Sequence, residues 1–124
     1  MNKKVVIFGG SGFLGSYLAD ELLRNNFNII IADTQKPKIN HPKQKFVKVN
    51  ILNLESIKSV IKGAEAVYNL ASLANLDDAA KDPLQTININ VMGNLNLLEA
   101  CRINGKIKRF IYASSAYALS NKGS

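Results

Sequence analysis

Residues 4–15 read Lys-Val-Val-Ile-Phe-Gly-Gly-Ser-Gly-Phe-Leu-Gly, a continuous apolar run that breaks at glycine. A short β-branched run of this kind is the pattern of a strand buried on both faces. Gly9, Gly12 and Gly15 follow it three apart, and from Phe13 to about Arg24 the apolar positions Leu14, Tyr17, Leu18 and Leu22 recur at threes and fours, opposite Asp20, Glu21 and Arg24. That spacing predicts an amphipathic helix, ended by Asn25-Asn26. Without a Cβ, Gly9 can make the tight turn, Gly12 can let the backbone approach a pyrophosphate, and Gly15 can let the helix pack closely. The helix N-terminus then offers free N–H groups and partial positive charge to an anion.

Phe27 to Ala32 is a second buried strand closing on Asp33, eighteen residues beyond Gly15. A carboxylate at that separation suits the two ribose hydroxyls of an adenosine whose pyrophosphate rests on the glycine loop. It would also repel a 2′-phosphate, so NAD is expected ahead of NADP; Lys36, three residues on, is the residue that would favour NADP. Thr34 to Lys45, with Pro37 and Pro42, reads as a basic loop. A third strand is expected over Lys45 to Ile51, a short helix over Leu54 to Ile61 stopped by Gly63, and a fourth strand over Ala66 to Ala71. After a polar turn, Asp82 is a good N-cap with Pro83 at the first helical position. Leu84, Ile87, Val91, Leu95 and Leu98 then form the inward stripe of a helix that runs to Arg102 and closes at Asn104-Gly105. Ile107 to Ala113 is the fifth strand, and Ser114 to Ser124 has loop composition. Strands alternating with helices predict an α/β fold with right-handed crossovers and a parallel, doubly wound sheet of order 3-2-1-4-5.

With 124 residues, 47% apolar and 20% charged, the chain can bury one core and not two, and a disordered polypeptide is excluded. One domain over 1–124 is expected. The net charge of +7 is local in origin: Lys36, Lys38, Lys43, Lys45 and Lys48 fall in a stretch with no carboxylate after Asp33. The ordinary reading is a solvated loop; RNA binding is the weaker one, because Phe46 is the sole nearby aromatic platform. Cys101, the single cysteine, cannot form an internal disulfide and is read as core packing. With one histidine, His41, read as exposed, no metal site is expected; Asp77, Asp78 and Asp82 more simply favour the positive end of a helix. No apolar run approaches the roughly 20 residues that span a bilayer, and a cytoplasmic location without membrane attachment is expected.

Beyond the glycine loop, four segments match a known pattern in order. The sequence resembles the N-terminal part of the extended short-chain dehydrogenase/reductase family, the NAD-dependent nucleotide-sugar epimerases and dehydratases. The family's loop reads Thr-Gly-x-x-Gly-Phe-[Ile/Leu]-Gly, against Phe8-Gly9-Gly10-Ser11-Gly12-Phe13-Leu14-Gly15 here, departing at Phe8. Its Asp-aliphatic pair after the third strand corresponds to Asn50-Ile51, and its His-Leu-Ala-Ala to Asn69-Leu70-Ala71-Ser72. Its Asn-Val-x-Gly-Thr corresponds to Asn90-Val91-Met92-Gly93-Asn94, followed by Leu97-Leu98-Glu99-Ala100, and its Ser-Ser at the end of strand five to Ser114-Ser115.

The resemblance implies a Rossmann-type domain in which Gly9, Gly12, Phe13, Leu14, Gly15, Asp33, Asn50, Ile51, Leu70, Ala71, Ser72 and Asn90 contact the cofactor. It implies that Ser115 is the catalytic serine that hydrogen-bonds the reacting oxygen. The family's base, a tyrosine in Tyr-x-x-x-Lys, has no counterpart: the residues four after Tyr17, Tyr68, Tyr112 and Tyr117 are Glu21, Ser72, Ala116 and Asn121. The 124 residues are thus expected to form the cofactor platform, truncated after strand five, without the catalytic Tyr and Lys or a sugar-binding lobe, and to be inactive alone. A homodimer through the helix 83–103 is implied too, its outer face including Ile89, Met92 and Leu97. The alternative is a non-catalytic NAD-binding or sensing module that assembles with a partner.

Overall fold

A computed structural model describes residues 3–71 and 76–114 of the chain. Strand β1 (Lys4–Phe8) leads through the glycine loop into α1 (Phe13–Arg24), followed by β2 (Asn28–Asp33), β3 (Gln44–Lys48), α2 (Leu54–Val60) and β4 (Ala66–Asn69). Two short helices, α3 (Leu76–Lys81) and α4 (Pro83–Ile87), a π-helical turn over Asn88–Gly93, α5 (Asn94–Asn104) and β5 (Arg109–Tyr112) complete the described residues. All four strand pairings are parallel and the order is β3-β2-β1-β4-β5, as the alternation of elements predicts.

The pleat of β1 explains why its run is apolar throughout. Val6 and Phe8 point to one face, into a core shared with Ile57 and Ile61 around α2 and Leu97 and Ala100 of α5. Val5 and Ile7 point to the other, where Ala19, Leu18, Leu22 and Leu23 of α1 cover them together with Ile29 and Ile31. Alternating residues therefore divide the domain's interior into two clusters, one on each side of the sheet, where composition led to the expectation of a single core. Side-chain caps start α2, where Asn53 accepts from the Ser56 N–H, and α4, where Asp82 accepts from the Gln85 N–H at 3.1 Å with Pro83 next.

Three expectations are corrected. In α1 the inward stripe is Gly15, Leu18, Ala19 and Leu22, while Leu14 and Tyr17 are 58% and 64% exposed. The small residues set this choice, because the helix approaches so closely at Gly15 that a Cβ there would lie 2.6 Å from the Gly10 α-carbon. The polar turn before Asp82 contains α3. The expected single helix 83–103 is divided by the π-turn, and its inward face is not the expected one. Leu97 and Ala100 are fully buried and Ile89 packs against the core, whereas Leu84, Ile87, Val91, Leu95 and Leu98 are 42–78% exposed. Met92 shares the outer face at 44% exposure. Gly93 explains part of the inversion: it faces the Ile51 side chain so closely that a Cβ would come within 2.8 Å of Ile51 Cγ1, which draws the side bearing Gly93, Leu97 and Ala100 onto the sheet.

Candidate functional site

The carboxyl ends of β1, β2 and β4 open into a cleft of about 470 Å³. This is where an open α/β sheet reverses its strand order, the usual place for a ligand. The floor is the glycine loop. Gly9 takes φ +76°, a left-handed conformation open to glycine at little cost, and a Cβ there would lie 2.6 Å from the Ala71 nitrogen. Gly12 is the N-cap residue of α1, with extended backbone and no side-chain cap, and the first turn of the helix carries no acidic residue. The helix N-terminus thus has no side-chain cap, an arrangement that could accept an external anion.

Asp33 ends β2 at the rim of this cleft. Its Oδ2 accepts from the Ser11 N–H at 3.0 Å and its Oδ1 from the Gln35 N–H at 3.2 Å. The Ser11 hydroxyl in turn donates to the Gln35 carbonyl at 2.6 Å. Ser11 therefore joins the loop and the strand end twice, a role that sequence spacing alone did not assign; its signal was a hydroxyl amid glycines.

Of the expected contact residues, Gly9, Gly12, Asp33, Asn50, Ile51, Leu70 and Ala71 line the cleft together. Asn50 commits its side-chain oxygen to the Leu52 N–H at 2.9 Å, an Asx-type turn. Ile51 is shared between the cleft and the core. Gln85, Ile89, Thr34 and Leu52 also line the cleft and were not anticipated, because their places depend on how the helix and loops pack. Asn90 is half-buried in the π-turn beside Ile89. Gly15 is buried beneath the loop, and Leu14 is exposed on α1. Phe13, 81% exposed, turns to the far side of the loop, where its ring meets Tyr17 edge-on at 5.1 Å. A larger hollow of about 580 Å³ lies there, between α1 and the basic loop, and it lacks every expected position from β3 and β4. Ser72 and Ser115 lie outside the described residues.

Other candidates settle simply. Cys101 is half-buried against the core, and burial pushes its thiol up to about 11, so it is a packing residue and no nucleophile at neutral pH. His41 is exposed, its Nδ1 accepting from the Lys43 N–H. Among the described residues no cluster of His, Cys, Asp and Glu could hold a metal, and no helix is long and apolar enough to cross a membrane.

A dinucleotide fits this donor set. A capless helix N-terminus and glycine floor suit a pyrophosphate, and an oriented carboxylate at the next strand end suits vicinal ribose hydroxyls. Comparison with known proteins agrees. The chain is 33% identical over 120 residues to a putative UDP-glucose 4-epimerase of Methanocaldococcus jannaschii, covering 93% of this chain and 39% of that protein. Its fold matches an epimerase structure from Methanothermobacter thermautotrophicus with a TM-score of 0.86 at 30% identity, over 93% of this chain and 36% of the other. It also matches a Thermus thermophilus UDP-glucose 4-epimerase solved with NAD, with a TM-score of 0.76 at 29% identity over 83% and 35%. The chain thus spans about two-fifths of the length of such relatives. A profile of the NAD dependent epimerase/dehydratase family matches residues 5–124, and the chain belongs to that family.

Proposed function

We propose that these residues are the NAD-binding portion of an NAD-dependent nucleotide-sugar epimerase or dehydratase. The observation that carries the reading is the Asp33 carboxylate, fixed by the Ser11 and Gln35 N–H groups over an uncapped helix N-terminus. NAD, when bound, supplies the acceptor for a hydride from a sugar carbon. The chain's own residues bind and orient. The first turn of α1 and Gly12 receive the pyrophosphate, Asp33 receives the adenosine ribose, and Asn50, Ile51, Leu70, Ala71, Ser72 and Asn90 wall the cofactor. Ser115, which follows β5 in the sequence, orients the reacting oxygen.

The homodimer is proposed on the corrected face. Leu84, Ile87, Val91, Leu95 and Leu98 form an exposed apolar stripe along α4, the π-turn and α5, larger than a solvated helix needs. A second copy of the same face is its natural cover. No Tyr-x-x-x-Lys occurs in the sequence, so within these residues the geometry supports binding and not proton transfer. Titration calorimetry with NAD and NADP tests the reading: NAD binds and NADP binds more weakly. Equal affinities overturn the role of Asp33, and absence of NAD binding overturns the function.

A further inference from the structure

Among the described residues, Asn69 is the polar side chain that sits within the buried core, 2% exposed at the end of β4. Burying an amide is unfavourable unless both its ends are hydrogen-bonded, and an apolar residue would serve packing better. Both ends are used. Its Oδ1 accepts from the Ala71 N–H at 3.0 Å, and its Nδ2 donates to Asn94 Oδ1 at 2.8 Å in the first turn of α5.

The peptide held in this way is the one that matters to the cleft. The Leu70 N–H still follows the sheet, donating to the Phe8 carbonyl at 2.8 Å, and Asn69 takes over at the next N–H. The Leu70–Ala71 peptide lies directly on Gly9, with the Leu70 carbonyl carbon and the Ala71 nitrogen each 2.6 Å from the position of a Gly9 Cβ. One chain of contacts therefore joins the glycine loop and the end of β4, two walls of the cleft, to the first turn of α5 behind them.

We propose that Asn69 and Asn94 are positioning residues for the dinucleotide, acting through the Leu70–Ala71 peptide. The inference rests on the cofactor reading above. With the Ala71 N–H captured, the peptide keeps one orientation over Gly9 and the cofactor meets a finished wall. Without the pair, that peptide can rotate, and binding must include the cost of ordering it.

The test uses the 124-residue chain, with two readouts: hydrogen exchange at the Ala71 amide without cofactor, and NAD affinity by calorimetry. In Asn69→Leu, Ala71 exchanges faster and the NAD Kd rises about tenfold, the usual scale for one buried hydrogen bond. Asn94→Ala moves both in the same direction by a smaller factor, and the double variant adds less than about twofold to Asn69→Leu, because the two act in series. Asn69→His with Asn94→Thr restores an acceptor and a donor at one position and an acceptor at the other, and brings the Kd back to within about threefold. Val67→Ala, a core change in the same strand, lowers the melting temperature and leaves the Kd unchanged. Should Asn69→Leu fail to fold, Asn94→Ala on the half-exposed partner decides the matter with the same readouts. Unmoved Ala71 exchange and NAD affinity in the variants, beside normal binding by the unmutated chain, overturn this inference alone, and so does an equal loss in Val67→Ala. Failure of the unmutated chain to bind NAD overturns the functional reading and the cofactor role of the pair together.

Discussion

The backbone N–H of Ser11 points at the carboxylate of Asp33, 3.0 Å from its Oδ2, so the glycine loop and the adjacent strand end hold one another in place. The carboxylate is oriented before any ligand arrives. Orientation of this kind lowers the cost of binding, because the acceptor need not be ordered again.

Asp33→Asn keeps the side chain's shape and removes its charge. Hydrogen bonds to a charged acceptor contribute about 1.5–3 kcal/mol, so NAD affinity should fall about tenfold or more. NADP should lose less, since the repulsion of its 2′-phosphate goes too. Calorimetric titration of both cofactors checks this; an unchanged NAD to NADP ratio would remove Asp33 from the site.

Gly93→Ala should destabilise the fold by about 1–3 kcal/mol, the range for overpacking a filled core. The added methyl meets the Ile51 side chain, which is itself held between cleft and core. Ile51→Val removes the nearest carbon, so the double variant should recover part of the loss. Urea denaturation with an unchanged m-value is the measurement, and strict additivity would contradict the contact.

Sedimentation velocity at rising concentration should show reversible dimerisation through the face carrying Leu84, Ile87, Val91, Leu95 and Leu98. Ile87→Lys combined with Leu98→Lys should return the chain to monomer while leaving NAD binding intact. A monomer at high concentration without these changes would refute the interface.

Cys101 should react with iodoacetamide at pH 8 between about ten and a hundred times more slowly than a free thiol, following its smaller thiolate fraction. Its folded value is raised from 9.0 to about 11 by burial. A raised value means that the folded state holds the proton more tightly, so the associated stability is complete below pH 9 and is lost as the pH rises towards 11. Cys101→Ala should flatten stability against pH in that window.

The 124 residues should show no epimerase or dehydratase turnover with NAD and a panel of UDP- and GDP-sugars. Ser115 can orient a sugar hydroxyl but cannot take its proton near neutral pH, and loss of a general base removes a factor of about 10² to 10⁴. Nicotinamide absorbance and product analysis are the readouts. Turnover abolished by Ser115→Ala or Tyr117→Phe would show that the chain carries its own proton acceptor.

The sheet order and the glycine loop were readable because each depends on local pattern: β-branched runs, glycine spacing and a carboxylate at a strand end. The helix after Asp82 shows where pattern stops being enough. Leu84, Ile87, Val91, Leu95 and Leu98 keep helical spacing, yet they face outward, while Leu97, Ala100 and Gly93 face the sheet. A helix with two apolar faces announces both and does not say which one the sheet takes. The deciding contact, Gly93 on Ile51, joins residues far apart in the chain. Leu14 and Tyr17 misled in the same way, since the close approach at Gly15 selects the side with the smallest residues. Asn69 and Asn94 stood inside matched segments, but their hydrogen bond spans 25 positions and has no local signal.

The two rims of the sheet differ in what they invite. β3 forms one, and Lys45 and Lys48 are exposed on it, so a second strand drawing alongside would bring its own backbone up against uncompensated positive charge. Among the described residues β5 forms the other, with Phe110, Ile111 and Tyr112 after a single Arg109. Charged rims discourage strand-to-strand joining and apolar ones permit it. Among the described residues the β5 rim is therefore the one that would accept a further strand, and lysine or proline introduced near Ile111 would be the effective block against joining there.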